Sequence, residues 1–138
     1  MEVKDRINIE KEVEKLKSDL VNDAENLIRD KEIWREDGLK EAQFRNLMNV
    51  ANSTTSVPVI TNFIKYQIGR SKVDKGWNYK KFGELFIQLI NNLKSKSEKS
   101  SPEYLLDVWI RLTRLLIGYM IRAYKYENSI NTKKRNKE

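Results

Sequence analysis

The sequence predicts an all-α fold, a single bundle of five helices. Apolar residues recur at spacings of three and four along most of the chain, and strand-like alternation is nearly absent. Only 5 Gly and 2 Pro interrupt 138 residues. Hydrophobic residues make up 39% and charged residues 34%, which fits one soluble domain long enough to bury a core without covalent staples.

The first helix is expected over about residues 8–30, with Ile9, Val13, Leu16, Leu20, Ala24 and Leu27 on one stripe. Ser18 and Asp19 are a candidate break within it. Asp37-Gly38 signals a turn. The second helix covers about 39–52, with Phe44, Leu47, Met48 and Ala51 at i, i+3, i+4 and i+7. The run Asn52-Ser53-Thr54-Thr55-Ser56 closes it and offers caps for the third. That helix begins near Pro58, where a missing N–H costs nothing, buries Ile60, Phe63, Ile64 and Gln67, and ends near Ser71. The loop SKVDKGWN follows, and Asn78 is positioned to cap a fourth helix over about 79–95. Phe82, Leu85, Phe86, Leu89, Ile90 and Leu93 form its apolar stripe. KSKSEKS reads as a polar, mobile linker. Ser101-Pro102-Glu103 is a start signal for a fifth helix that runs to about Glu127: a cap, a proline at the first position and a carboxylate at the positive dipole end. The chain thus divides into an acidic helical segment (1–37), a core bundle (38–128) and a basic tail (129–138) expected to be disordered.

The chain contains no Cys and no His. A disulfide scaffold and a Cys-ligated zinc site are therefore excluded, and the commonest general base and metal ligand are missing. No Gly-rich phosphate loop is present and no Ser stands beside a base. The i, i+4 carboxylate pairs Glu10/Glu14 and Asp19/Asp23 lie among lysines and read as a solvated helix face. These absences predict a protein without catalytic residues, metal or other cofactor. The N-terminal residues lack the apolar stretch of a secretory signal, and no run is apolar enough to span a bilayer, which predicts a cytoplasmic protein with no membrane partner.

Charge is unevenly spread. Residues 1–37 carry 8 Lys/Arg against 12 Asp/Glu, whereas residues 38–138 carry 19 against 8. A basic body points to a polyanionic partner. On the fifth helix, Arg111, Arg114, Gly118, Arg122 and Lys125 fall within an arc of roughly 80° at about 100° per residue. Trp109, Leu116 and Met120 lie opposite. A helix otherwise apolar around most of its girth thus leaves one slot lined with cations over about 21 Å, with a glycine at its centre that allows close approach of another backbone. Guanidinium forks match phosphate oxygens, so an anion along this slot is one reading. The other is an ordinary solvated face, with Asp107 four residues before Arg111 and able to pair with it.

Further cations could join the slot. Arg45 and Asn49 point away from the apolar face of the second helix. Lys65, Gly69 and Lys72 lie on the outer face of the third, with Arg70 on its flank. Lys75, Lys80 and Lys81 surround Trp77 and Tyr79, a cation–aromatic mixture that suits unpaired bases. The competing reading has Trp77 sealing the end of the bundle.

The order of three short motifs resembles the small helical subunit of type III CRISPR effector complexes, the Csm-complex small subunit. Gln43-Phe44-Arg45-Asn46 is similar to a Gln-x-Arg-Asn element of that family. Tyr66, Gly69 and Arg70 match a Tyr-x-x-Gly-Arg element, and LLIGYMIRAYKY, with Tyr119 and Arg122, matches the last helix. The resemblance covers about residues 38–127 and leaves the acidic first 37 outside. It implies a non-catalytic bundle that stacks head to tail in several copies, meets other subunits of the complex, and lines a groove holding guide RNA and target RNA. In such an assembly base pairing reads the sequence, and the protein supplies charge and shape. The residues expected to touch RNA are Arg45, Lys65, Arg70, Arg114, Arg122 and Lys125, with Lys72 and Arg111 as weaker contributors. Two other functions fit the composition: a protein–protein adaptor whose slot receives an acidic helix, and a small helical DNA-binding protein. The long polar link between the second and third helices argues against a helix-turn-helix reader.

Overall fold

Each apolar stripe becomes the buried face of a helix, and the stripes meet around the last of them. A computed structural model of the chain describes residues 2–100 and 102–137. Among these, the helices are α1 (Val3–Lys31), α2 (Glu41–Asn52), α3 (Val57–Arg70), α4 (Phe82–Ser100) and α5 (Leu105–Lys137), with short 3-10 turns at Gly76–Lys81 and Pro102–Tyr104. There is no strand among the described residues. The all-α, five-helix architecture is as the periodicity predicts.

α1 is continuous. Ser18 and Asp19 are both exposed, so neither hydroxyl nor carboxylate competes with the helix for a buried hydrogen bond. The stripe carries straight through them to Leu20, Ala24 and Ile28, all buried. Glu32 then turns left-handed, with its N–H donating back to the Ile28 and Arg29 carbonyls. Gly38 completes the turn, because a Cβ there would lie 2.0 Å from the Ile33 carbonyl oxygen.

At the start of α2, Gln43 Oε1 accepts the Lys40 backbone N–H at 2.8 Å, one half of a capping box. Ser53 Oγ donates to the Val50 carbonyl at 2.8 Å and closes it. α3 opens with Pro58 in its first turn. Its end is held differently from the sequence expectation. Asn78 does not cap α4; its amide donates to the carbonyls of Ile68 (3.0 Å) and Ser71 (3.1 Å). It thereby satisfies groups that the last turn of α3 leaves open.

Two segments expected to be irregular are helical. α4 runs through KSKSEKS to Ser100. Ser97 falls one turn after Leu93, is fully buried, and donates its hydroxyl to the Leu93 carbonyl at 2.7 Å. A serine can occupy a core position when its own helix accepts its proton. α5 does not stop at Glu127 but continues through the expected tail to Lys137, since neither Gly nor Pro intervenes. The Asn131 amide donates to the Glu127 carbonyl at 2.7 Å within this extension. The cap predicted at Ser101 lies outside the described residues.

α5 is the centre of the bundle and packs most extensively on α1, then on α2 and α4. Val108, Leu112, Thr113, Leu116, Ile117 and Met120 are among its fully or almost fully buried residues. The polar ends of its aromatics find partners: Trp109 Nε1 donates to the Ile90 carbonyl at 2.8 Å and the Tyr124 hydroxyl to that of Leu39 at 3.0 Å. Burial of the Tyr124 phenol, with the Glu41 charge nearby, pushes its pKa up. Phe44, Phe82, Phe86 and Tyr124 form an aromatic chain with centroids 5.0–6.1 Å apart, and Trp77 joins it through Phe82 at 6.2 Å.

Candidate nucleic-acid interface

The cation stripe of α5 is the first place to look, and the structure breaks it up. Arg111 is half-buried against α1, where its two terminal nitrogens donate to the two carboxylate oxygens of Glu10, the Nη2–Oε2 contact at 3.1 Å. That hydrogen bond, reinforced by the guanidinium charge, holds the Glu10 carboxyl below its ordinary pKa. Asp107 is not the partner. Arg114 turns the other way. Its Nε donates to the Ala51 carbonyl at 3.0 Å and its Nη2 to the Thr54 carbonyl at 2.6 Å. It therefore fastens the C-terminal end of α2, whose last carbonyls have no helical donor. Lys125 Nζ lies 3.4 Å from Glu41 Oε1. Gly118 faces α2: a Cβ there would meet Met48 Cε at 3.7 Å, so what approaches the glycine is a neighbouring side chain.

Arg122 is the stripe cation that remains without a carboxylate or backbone partner among the described residues. It is exposed, its guanidinium 5.8 Å from the Tyr119 ring centroid. It borders a groove of about 530 Å³ between α1 and α5, together with Glu25, Arg29, Tyr126 and Glu127. The outward file of cations expected on α5 is therefore absent. The wheel of one helix omits the neighbours, and here α1 supplies a carboxylate and α2 supplies carbonyls and Glu41.

The α2–α3 hairpin behaves oppositely. Residues 42–73 contain no Asp or Glu and four cations, Arg45, Lys65, Arg70 and Lys72. All four are exposed. Arg45, Lys65 and Lys72 have no ion-pair partner among the described residues, and Arg70 touches only the Tyr66 ring, at 5.8 Å. The two acids that bound the stretch are engaged elsewhere, Glu41 with Lys125 and Asp74 as acceptor of the Lys80 backbone N–H at 3.1 Å. Exposed Asn46, Asn49, Asn52 and Asn62 add amides to the same hairpin. Cations without carboxylates within reach leave a positive field that only solvent and counterions screen.

Trp77 and Tyr79 do not belong to this surface. They are 1% and 9% exposed, so Trp77 seals the bundle and neither ring is offered to a base. The exposed aromatic is Tyr66, 62% accessible on α3. The sequence reading cited Tyr66 only as part of a motif. The signal was present: on a helical wheel it lies roughly 120–180° from Val57, Ile60, Ile64 and Ile68.

No group of three or more potential metal-binding side chains occurs among the described residues. Four carboxylates of α1 are paired with cations, Glu10 with Arg111, Glu12 with Lys15 at 2.9 Å, Glu14 with Lys17 at 2.8 Å and Asp30 with Arg29 at 3.7 Å. No helix among the described residues is long and apolar enough to cross a membrane. No family model, curated protein or solved structure matches the chain.

Proposed function

We propose that this chain is a non-catalytic RNA-binding helical subunit that holds RNA by its phosphates along the α2–α3 hairpin, in the manner of the small subunit of a type III CRISPR effector complex. The observation that carries the reading is the acid-free stretch 42–73, whose four cations are all exposed and unmatched by carboxylates among the described residues. Phosphate contacts need charge and donors without sequence discrimination, and Arg45, Lys65, Arg70 and Lys72 with the surrounding asparagine amides supply them. Two of the three motifs behind the family resemblance, Gln43-Phe44-Arg45-Asn46 and Tyr66-x-x-Gly69-Arg70, belong to this hairpin. The third contributes Arg122 on α5. Arg111, Arg114 and Lys125 are better read as structural ties than as RNA contacts. The partners in this reading are guide and target RNA, other subunits of the complex, and further copies of the chain stacked head to tail.

The test is fluorescence anisotropy with a labelled RNA oligonucleotide at about 50 mM salt, where phosphate contacts are strongest. Lys65→Glu with Arg70→Glu is expected to lower affinity at least about tenfold, since two phosphate contacts are replaced by repulsion. The far-UV circular dichroism should stay that of the parent, because both side chains are exposed. Unchanged affinity in a folded double variant would sink the assignment of this face. Absence of RNA binding by the parent protein, with capture of an acidic helical peptide instead, would favour an adaptor.

A further inference from the structure

We infer that Tyr66 is a stacking platform for an unpaired base, which makes the ligand of the α2–α3 face single-stranded RNA. The inference rests on the RNA reading above and specifies its substrate.

The first support is where Tyr66 sits. At about 100° per residue, Val59, Asn62, Tyr66, Gly69 and Arg70 share an arc of roughly 100°, the outermost strip of α3, and all five are exposed. A tyrosine held largely in water at the middle of such a strip contributes nothing to the core that the rest of α3 makes. The chain has five other tyrosines, and none stands exposed on an acid-free face. Tyr119 is half-buried at the groove between α1 and α5, its ring centroid 5.8 Å from the Arg122 guanidinium. Tyr79 and Tyr124 are buried. Tyr104 donates its hydroxyl to Asp5 at 2.6 Å. Tyr126 is exposed, but it borders a groove in which Glu25 and Glu127 offset Arg29 and Arg122, so no net positive charge is left there for a phosphate chain. Tyr66 is the exposed tyrosine on a segment without carboxylates.

The second support is the space around it. One turn further on, Gly69 carries no side chain, and a Cβ built there would meet nothing within 4 Å. The helix surface beside the ring is therefore bare. A planar base can approach the ring along that side, where position 69 carries no side chain. Arg70, from the following position, stands over the ring at 5.8 Å from its centroid, so a base takes the opposite face or replaces the guanidinium there. A guanidinium beside a stacked base is well placed for the phosphate of the same nucleotide. Lys65 and Lys72 flank it for the neighbouring phosphates, and the Asn62 amide can both donate to and accept from a base edge.

The third support is what duplex RNA cannot do. In an A-form helix the bases are stacked on one another and closed to an aromatic side chain, so duplexes are held by backbone and shape. Stacking on an aromatic ring is sequence-tolerant and available only to unpaired bases. Cations alone would hold either form. The aromatic adds the discrimination.

The experiment compares the parent, Tyr66→Phe and Tyr66→Ala against an unstructured oligonucleotide and a blunt-ended, fully paired duplex of equal length. Tyr66→Ala is expected to weaken single-strand binding on the order of tenfold and to leave duplex binding unchanged. Tyr66→Phe should bind like the parent, since the ring is retained. A 2-aminopurine in the single strand should be quenched by the parent and by the Phe variant, and not by the Ala variant. The salt slope should be the same in all three, because no phosphate contact is removed. Equal single-strand affinity for parent and Ala variant, or an equal loss on both RNAs, would overturn stacking. In that case the RNA reading would still stand if Lys65→Glu/Arg70→Glu abolished binding. If the parent bound neither RNA, both would fall together.

Discussion

Arg114 and Arg70 carry the same guanidinium and serve different ends because of what lies within reach. Around Arg114 are the carbonyls of Ala51 and Thr54, so its donors are consumed in closing α2. Around Arg70 there is a ring and water. Glycines divide in the same way. A Cβ at Gly83 would come within 2.7 Å of Ile68 Cγ1 and 2.9 Å of the Trp77 carbonyl oxygen. The carbonyl is backbone and cannot swing aside. Gly83→Ala is therefore expected to cost roughly 1–3 kcal/mol. At Gly118 the same atom would rest in ordinary contact with Met48 Cε at 3.7 Å, and α5 would lose a weak helix former. Gly118→Ala is expected to gain up to about 1 kcal/mol. Urea midpoints of the two variants check both signs, and a destabilised Gly118→Ala would restore the idea that something must approach that backbone closely.

Between elements, α1 and α5 are joined by burial along Val13, Leu20, Ala24 and Ile28 and by polar pins at one end. Tyr104, in the turn just before α5, reaches Asp5, and Arg111 of α5 reaches Glu10. The Glu10 pin is pH-sensitive. Its folded pKa is lowered, so its contribution is present above the ordinary carboxylate range and is lost as pH falls through the lowered value. Both partners are about half exposed, with 42% and 52% of their side-chain surface accessible, which limits the pair to roughly 0.2–1 kcal/mol. Glu10→Gln should lower stability by that amount at pH 7. The gap should shrink toward pH 3 and in high salt. A gap that widened on acidification would show that another group holds Glu10's charge. The extension of α5 past Glu127 and of α4 through KSKSEKS follows from helix chemistry of another kind: polar helix formers continue a helix once tertiary contacts have started it.

For the molecule as a whole, the separation of an acidic segment from a basic body acts in two ways. Part of the acid meets α5, where Glu10 pairs with Arg111. Of the 19 cations of residues 38–138, the four of the α2–α3 hairpin stand exposed on a stretch without Asp or Glu. This predicts the salt response of RNA binding. With four unmatched cations and a slope of about −0.7 per phosphate on single strands, log affinity should fall against log salt with a slope of roughly −3 or shallower. A slope near −6, also on the basis of about −0.7 per phosphate, would mean that all eight candidate cations are recruited, those of α5 included. Titration of binding between about 50 and 200 mM salt separates the two.

The sequence by itself determined the helices, their buried faces, the turn at Gly38 and the outward aim of Arg45, Lys65, Arg70 and Lys72, because these follow from local periodicity and from runs free of acids. Helix ends were less legible where a buried Ser97 or an amide from Asn78 acted across turns. Only the tertiary structure decided which cations are free. Arg111 and Glu10 are 101 residues apart in sequence, and Arg114 is 60 from Thr54. A helical wheel records angles around one axis. Charge is neutralised across axes, and that depends on which helix comes to lie beside which.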